Sequence, residues 1–277
     1  MTQISIVPAT AAALDVPGAR LYYELRGTGP LVVLVGAPMD AAAFAPLADL
    51  IATDHTVLTT DPRGHQSSVL DDPTQDSTPE LRADDLARLI AHVDAGPAVV
   101  LGSSGGAITV LALARAHPDL VTTVVAHEPP LLALLDDRAQ QHAKTDDIIA
   151  TYKSGDRLGA WRKFMAQANL QMPEPVFQQV FGGEPEPRQQ ASESYWFAHE
   201  LRQSTSWEPD VAALRATATR VVLGLGADSA GQLCERTVNA LGASIGVDPV
   251  LFPGGHTGFV EDPAAFEPRL REVLWGE

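Results

Sequence analysis

Short apolar runs alternate along the chain with longer stretches in which apolar residues recur at helical spacing. A continuously apolar run predicts a buried strand, and a helical period predicts an amphipathic helix. The predicted buried strands are residues 31–35, 56–60, 98–101, 121–126, 220–225 and 250–252. The main predicted helices are residues 41–53, 79–93, 232–241 and 264–275. This alternation of strands and helices predicts an α/β fold with a mostly parallel sheet flanked by helices.

Two segments depart from this alternation. Residues 19–25 alternate like a half-exposed strand, and the glycine-rich turn after them predicts a hairpin with residues 31–35. Residues 131–207 are helical, polar and aromatic in character, are broken by prolines and glycines, and contain no convincing buried strand. The sequence therefore predicts an α/β core made of residues 1–130 and 208–277, with a helical cap inserted at residues 131–207.

A serine lies in a sharp turn between a predicted strand and a predicted helix. Residues 102–106 read GSSGG, which is a G-x-S-x-G pattern centred on Ser104. In this context the small flanking residues permit a tight turn that exposes the serine beside a helix N-terminus. A plain strand-to-helix connection is the alternative reading. The strand and helix on either side favour Ser104 as a nucleophile.

A base and an acid are expected after later strands, at the same edge of the sheet. His256 follows residues 250–252 between glycines, and a neutral imidazole there can accept the serine proton. Two carboxylates compete for the role of the acid. Asp228 follows residues 220–225, and Glu128 follows residues 121–126. Asp228 is favoured because the two residues before it leave its loop free to turn, whereas two prolines stiffen the chain after Glu128.

Acyl transfer also needs donors for a developing oxyanion. The loop after residues 31–35 reads GAPMD, and Pro38 has no N–H, so the donor must be Ala37 or Met39. Ala37 is nearer to the strand end. We therefore expect the N–H groups of Ala37 and Gly105 to form the oxyanion hole.

Composition narrows the class of partner. The chain has 277 residues, 45% of them hydrophobic, with 35 acidic and 19 basic residues and a formal net charge of −16. This balance argues against nucleic acid and anionic membranes as partners. The first residues lack the pattern of a secretion signal, which predicts a cytoplasmic location. Cys234 is the single cysteine, so neither a disulfide framework nor a cysteine-based metal site is expected. No metal is expected, and nothing indicates an oligomeric state.

Taken together, these motifs resemble those of the α/β-hydrolase superfamily of capped serine hydrolases. The segments that carry the resemblance are VLVGAP, DPRGHQSS, LGSSGG, HEPP, GAD and FPGGHTGF. The resemblance implies a mostly parallel eight-stranded sheet with an inserted cap, a triad of Ser104, Asp228 and His256, and no cofactor. Many relatives have His-Gly where this chain has Val-Gly at residues 35–36, so the usual anchoring of that loop is altered.

Large apolar side chains are concentrated in the predicted cap. Most pack the cap, and some are expected to line a substrate cavity with Met39. The candidates are Trp161, Phe164 and Trp196. This pattern favours hydrolysis of a carboxylic ester or lactone of a small to medium hydrophobic substrate, through an acyl-enzyme on Ser104. The alternatives on the same triad are carbon–carbon bond hydrolysis, a perhydrolase or haloperoxidase-like reaction, a biosynthetic cyclisation, or a slow-turnover ligand receptor.

Overall fold

A computed structural model of the protein describes residues 7–276, and in it the predicted mostly parallel sheet flanked by helices is confirmed. Residues 1–6 and residue 277 lie outside the described residues. Residues 1–6 belong to the N-terminal segment from which a cytoplasmic location is predicted, and also to the predicted core segment 1–130. The strands are β1 (Thr10–Val16), β2 (Ala19–Arg26), β3 (Leu31–Val35), β4 (Thr56–Thr60), β5 (Val69–Leu70), β6 (Ala98–Ser103), β7 (Val121–His127), β8 (Arg220–Gly226) and β9 (Val250–Phe252). The helices are α1 (Ala41–Ile51), α2 (Pro79–Val93), α3 (Gly105–Ala116), α4 (Arg138–Lys153), α5 (Arg157–Ala168), α6 (Glu174–Phe181), α7 (Pro187–Tyr195), α8 (Leu201–Thr205), α9 (Val211–Ala216), α10 (Leu233–Ile245), α11 (Gly258–Glu261) and α12 (Pro263–Trp275).

Eight strands follow one another across the sheet in the order β1-β2-β4-β3-β6-β7-β8-β9. The short β5 is an addition that pairs with β2 beside this path. All neighbours from β4 to β9 pair in parallel, and β1 and β2 are antiparallel additions at one edge. The carboxyl ends of β3, β6, β7, β8 and β9 therefore meet along one edge, as the sequence predicted for the candidate site residues.

The predicted hairpin between residues 19–25 and 31–35 is wrong. β2 pairs with β1 and β4, and β3 lies between β4 and β6. All residues of β3 are buried, which suits an interior position covered on both faces, whereas β2 alternates between buried and partly exposed positions. The mostly exposed β1 joins β2 through a tight turn in which Gly18 has a φ of 77°.

The core is divided by the sheet into two layers. Leu31, Val33 and Val35 of β3 belong to the layer that contains α2, α3 and α10. Val32 and Leu34 belong to the layer that contains α1 and α12. This alternation follows from the two-residue period of a strand, which turns successive side chains to opposite faces. Both faces of β3 are therefore sealed from water.

Residues 128–219, between β7 and β8, contain helices and no strand in the described structure. They include α4 to α9 and a π-helical segment, Trp196–Glu200, directly before α8. The division of the chain at residues 131 and 207 stays a prediction, and we call this segment the inserted helices. None of the helices in residues 7–276 is long and apolar enough to cross a membrane.

A buried ionic contact joins the inserted helices to α2 and to the loop after β4. Glu200, in the π-helical segment, lies 3.0 Å from His65 Nε2 and 3.8 Å from Arg82 Nη1, and all three side chains are buried. Arg82 also donates to Ser204 Oγ of α8. Burial raises the pKa of Glu200, but His65 and Arg82 outweigh this and hold the pKa below its usual value. The carboxylate is therefore ionised and fixes the position of the π-helical segment.

We expect Glu200→Gln to lower the free energy of unfolding by about 3 kcal/mol, because removing one partner of a buried pair leaves an uncompensated charge. Urea denaturation followed by circular dichroism measures the change. Glu174→Gln, which removes an exposed ion pair with Arg162 within the inserted helices, is the control and should have little effect. Equal unfolding midpoints for the two variants would contradict this role of Glu200.

Candidate active site

Ser104 occupies a strained turn at the carboxyl end of β6. It lies directly between β6 and α3, with a φ of 58° and a ψ of −123°, a conformation that residues with a Cβ rarely adopt. The Ser104 N–H donates to the carbonyl oxygen of His127 at 2.9 Å, which ties the turn to the neighbouring strand β7. The side chain is half-buried. The turn thus presents the hydroxyl at the N-terminus of α3.

Two glycines permit the close approach of backbones around this turn. A Cβ on Gly102 would lie 2.3 Å from the carbonyl oxygen of Gly106, and a Cβ on Gly105 would lie 2.5 Å from the carbonyl oxygen of Ala37. Side chains at these positions would separate β6 from α3, and α3 from the loop after β3. Packing therefore requires glycines at positions 102 and 105, the first of which is also the first glycine of the G-x-S-x-G pattern.

His256 and Glu128 form a hydrogen-bonded pair at the same edge of the sheet. His256 Nδ1 lies 2.6 Å from Glu128 Oε2, and the other oxygen of Glu128 accepts from the N–H of Gly226 at 2.8 Å. Glu128 is fully buried and has a φ of 54°. Burial raises the pKa of Glu128, but the hydrogen bond and charge of His256 outweigh this and lower it to about 2. The acid is therefore a carboxylate at neutral pH.

The environment of His256 favours its protonated form. Burial lowers the pKa of His256, whereas the nearby Cys234 and Glu128 raise it, and the net result lies above the usual value for an imidazole. Ser104 and His256 line the same cavity, and no hydrogen bond joins their side chains among the described residues.

The expectation that Asp228 pairs with His256 is corrected by this geometry. Asp228 is exposed, whereas Glu128 occupies the place beside Nδ1. The chain turns sharply after β8, where the Asp228 N–H donates to Gly254 and the Ser229 N–H donates to Gly226. This turn leaves the Asp228 carboxylate on the surface. The prolines that follow Glu128 do not prevent its side chain from reaching the ring.

Two backbone N–H groups are available next to Ser104. Ala37 and Gly105 both line the cavity, and a Cβ added to Gly105 would lie 2.5 Å from the carbonyl oxygen of Ala37. Within residues 7–276, neither N–H donates a hydrogen bond to a protein acceptor. Their use as an oxyanion hole stays a prediction, but both donors are free to bind an oxygen atom.

A cavity of about 350 Å³ lies over Ser104 and His256. Its wall is mainly apolar and comes from the loop after β3, the inserted helices and the start of α10. Among the described residues that line it, none is Asp, Glu, Lys or Arg. The apolar lining residues with larger side chains are Pro38, Met39, Pro130, Leu132, Trp161, Phe164, Leu170, Phe181, Trp196, Leu201 and Leu233. Apart from His256, this wall is uncharged and mainly apolar, and it suits an uncharged ligand.

Aromatic rings from separate helices form one side of the cavity. Trp161 stacks on Trp196 with ring centroids 5.3 Å apart and on Phe181 at 4.6 Å, and Phe164 packs edge-to-face against Trp196. Met39, Trp161, Phe164 and Trp196, the candidates from the sequence, all lie on the cavity wall. Their contact with a substrate stays a prediction.

Sequence reasoning missed two residues at this site. Cys234, at the start of α10, lines the cavity near His256 and Glu128. His127, behind Ser104, is fully buried among three phenylalanine rings, and this burial lowers its pKa to about 4. The sequence signal for Cys234 was its place soon after the end of β8, because residues in such loops lie at the same edge as the serine.

A parallel sheet with a serine in a strained strand-to-helix turn and a histidine–carboxylate pair at its carboxyl edge is typical of the α/β hydrolases. The sequence model of the alpha/beta hydrolase family matches residues 31–269, and the chain belongs to this family.

Several relatives of known name are similar over nearly the whole chain. The uncharacterized hydrolase YraK of Bacillus subtilis (strain 168) is 31% identical over 266 residues, which are 94% of each chain. The zearalenone hydrolase of Bionectria ochroleuca is 28% identical over 280 aligned residues, covering 95% of this chain and 97% of the relative. The solved structure of a thermophilic esterase from Thermogutta terrifontis aligns with a TM-score of 0.72 at 20% identity, covering 96% of this chain and 98% of that one. The two sequence relatives are hydrolases, and the solved structure shares the fold.

Proposed function

We propose that the protein is a serine hydrolase that cleaves carboxylic esters or lactones of small to medium, uncharged hydrophobic substrates. The observation that carries this proposal is the combination of Ser104 in its strained turn with the buried Glu128–His256 pair at the edge of one apolar cavity. The hydrolase names of the two sequence relatives support the reaction class.

Acylation begins when the Ser104 hydroxyl attacks the substrate carbonyl carbon. Neutral His256 is the reactive form, and because its pKa is raised, the share of this form increases as the pH rises. Glu128 holds the Nδ1 atom, so Nε2 accepts the serine proton, and the carboxylate stabilises the resulting imidazolium. The tetrahedral oxyanion accepts hydrogen bonds from the N–H groups of Ala37 and Gly105. As the intermediate collapses, His256 protonates the leaving alcohol, and an ester on Ser104 remains.

Deacylation repeats these steps with water as the nucleophile. His256 accepts a proton from water, the second tetrahedral intermediate uses the same two N–H groups, and Ser104 recovers its proton as the acid leaves. A lactone follows the same course, except that its alcohol stays attached to the acyl group. In this mechanism Glu128, and not Asp228, is the acid of the triad, and the inserted helices act as the cap that excludes water.

We expect Ser104→Ala to lower kcat/KM for an activated ester by about 10³- to 10⁶-fold, because only the nucleophilic oxygen is removed. Labelling with a fluorophosphonate probe, followed by mass spectrometry of the labelled peptide, locates the nucleophile independently. Ser103→Ala is the matched control, since Ser103 is the adjacent serine, fully buried and hydrogen-bonded to His127. Covalent labelling that persists in Ser104→Ala would exclude Ser104 as the nucleophile.

We expect Glu128→Gln to lower kcat by up to about 10⁴-fold, because the amide keeps the shape but removes the charge that orients and stabilises the imidazolium. Asp228→Asn, at the exposed carboxylate of the next strand, is the control and should retain most of the activity. Steady-state kinetics on both variants, with circular dichroism to verify folding, makes the comparison. A larger loss in Asp228→Asn would restore the acid predicted from the sequence.

The uncharged cavity wall predicts discrimination by substrate charge. We expect kcat/KM to be more than about 100-fold higher for 4-acetoxybenzamide than for the anion 4-acetoxybenzoate, since burying an unpaired charge costs several kcal/mol. The two acetates are close in shape, and their rates are compared after correction for spontaneous hydrolysis. Similar values for the two substrates would show that the reacting ester does not enter this cavity.

A further inference from the structure

Three potential metal ligands of different chemistry meet below the cavity. They are the carboxylate of Glu128 after β7, the thiol of Cys234 in the first turn of α10, and the imidazole of His256 after β9. One ligand atom from each lies within 4.8 Å of the others. The proposed ester hydrolysis uses Glu128 and His256 but has no role for Cys234, which is half-buried on the cavity wall.

These donors match the preference of zinc-class ions. Zinc binds cysteine sulfur, histidine nitrogen and carboxylate oxygen at about 2.0 to 2.3 Å in a tetrahedron, which separates neighbouring donor atoms by about 3.3 to 3.8 Å. The separation of His256 Nδ1 from Glu128 Oε2 is 2.6 Å, so an ion between them must open this hydrogen bond by less than about 1 Å. The other pairs of donor atoms are at most 4.8 Å apart, so they must approach by no more than about 1.5 Å.

We propose that Glu128, Cys234 and His256 form a binding site for a divalent transition-metal ion of the zinc class, and that the bound ion inhibits the enzyme. The ion replaces the proton shared by His256 and Glu128, and the thiol and imidazole protons are released to water. Three protein ligands leave a fourth position for water from the cavity. The binding claim is independent of the proposed function, whereas the inhibition claim rests on it.

An ion bound between Glu128 and His256 inhibits the proposed hydrolysis because it acts on the catalytic base. A histidine whose ring nitrogen binds a metal cannot keep the orientation that Glu128 gives it, and a cation beside the ring opposes its protonation. Both effects remove the base that the proposed reaction needs. Cys234 and His256 also line the cavity, so an ion can reach the site from the side on which the substrate enters. The single cysteine predicts no cysteine-based metal site, but the fold places ligands of two other types beside Cys234.

The binding test uses metal-free protein with Ser104→Ala as the background, so that no catalysis occurs. Titration with Co²⁺ should produce a near-ultraviolet thiolate-to-cobalt absorption band, and calorimetry with Zn²⁺ gives the affinity. We expect Cys234→Ser, Cys234→Ala and Glu128→Gln each to weaken Zn²⁺ binding by more than about 10-fold, because losing a ligand costs at least as much as losing a group that orients one. Asp228→Asn, at an exposed carboxylate outside the cluster, should bind Zn²⁺ like the background protein.

The inhibition test uses the enzyme with Ser104 intact. Zn²⁺ should inhibit ester hydrolysis reversibly, with recovery on addition of EDTA. Each rate is expressed relative to the uninhibited rate of the same protein. The Zn²⁺ concentration for half inhibition should then be more than about 10-fold higher for Cys234→Ser than for the enzyme with Cys234 intact. Binding of Zn²⁺ that is unchanged in both Cys234 variants, or no Co²⁺ band in the folded protein, would overturn the proposed site. A protein that binds Zn²⁺ as expected but hydrolyses no ester would refute the proposed function and leave the metal site intact.

Discussion

The buried carboxylate of Glu128 holds together the ends of three neighbouring strands. It extends from the end of β7, accepts from the backbone at the end of β8, and fixes the ring of His256 after β9. A carboxylate that is removed from water must be compensated by hydrogen bonds and opposite charge, and here both of its oxygens are engaged. One ionised group therefore couples the positions of these loops. The orientation of the His256 ring depends on all three strand ends.

Much of the fold could be predicted from local patterns. The bounds of β3, β4 and β9 follow directly from short apolar or β-branched runs, and those of α2 follow from its N-cap threonine and the proline after it. Local patterns could not predict which strands pair with β2. The predicted partner, β3, instead lies between β4 and β6, which come later in the chain.

The candidate site illustrates the same limit at the scale of single side chains. Sequence order places both Glu128 and Asp228 after strands whose carboxyl ends meet at the site. The choice between them depends on a turn of a few residues after β8, where backbone hydrogen bonds leave Asp228 in water. The flexible loop before Asp228 favoured Asp228 over Glu128 as the partner of His256. The structure instead pairs Glu128 with His256, because the contacts of the Glu128 carboxylate compensate for its strained backbone.

The absence of charged side chains from the described cavity wall also affects the end of the proposed reaction. Hydrolysis converts a neutral ester into an acid that ionises at neutral pH. The wall offers this anion no lysine or arginine, and the chain has a net charge of −16. Apart from His256, the surroundings that accommodate the neutral ester therefore disfavour the anion, so the change of charge favours release of the acid once His256 has returned its proton to Ser104.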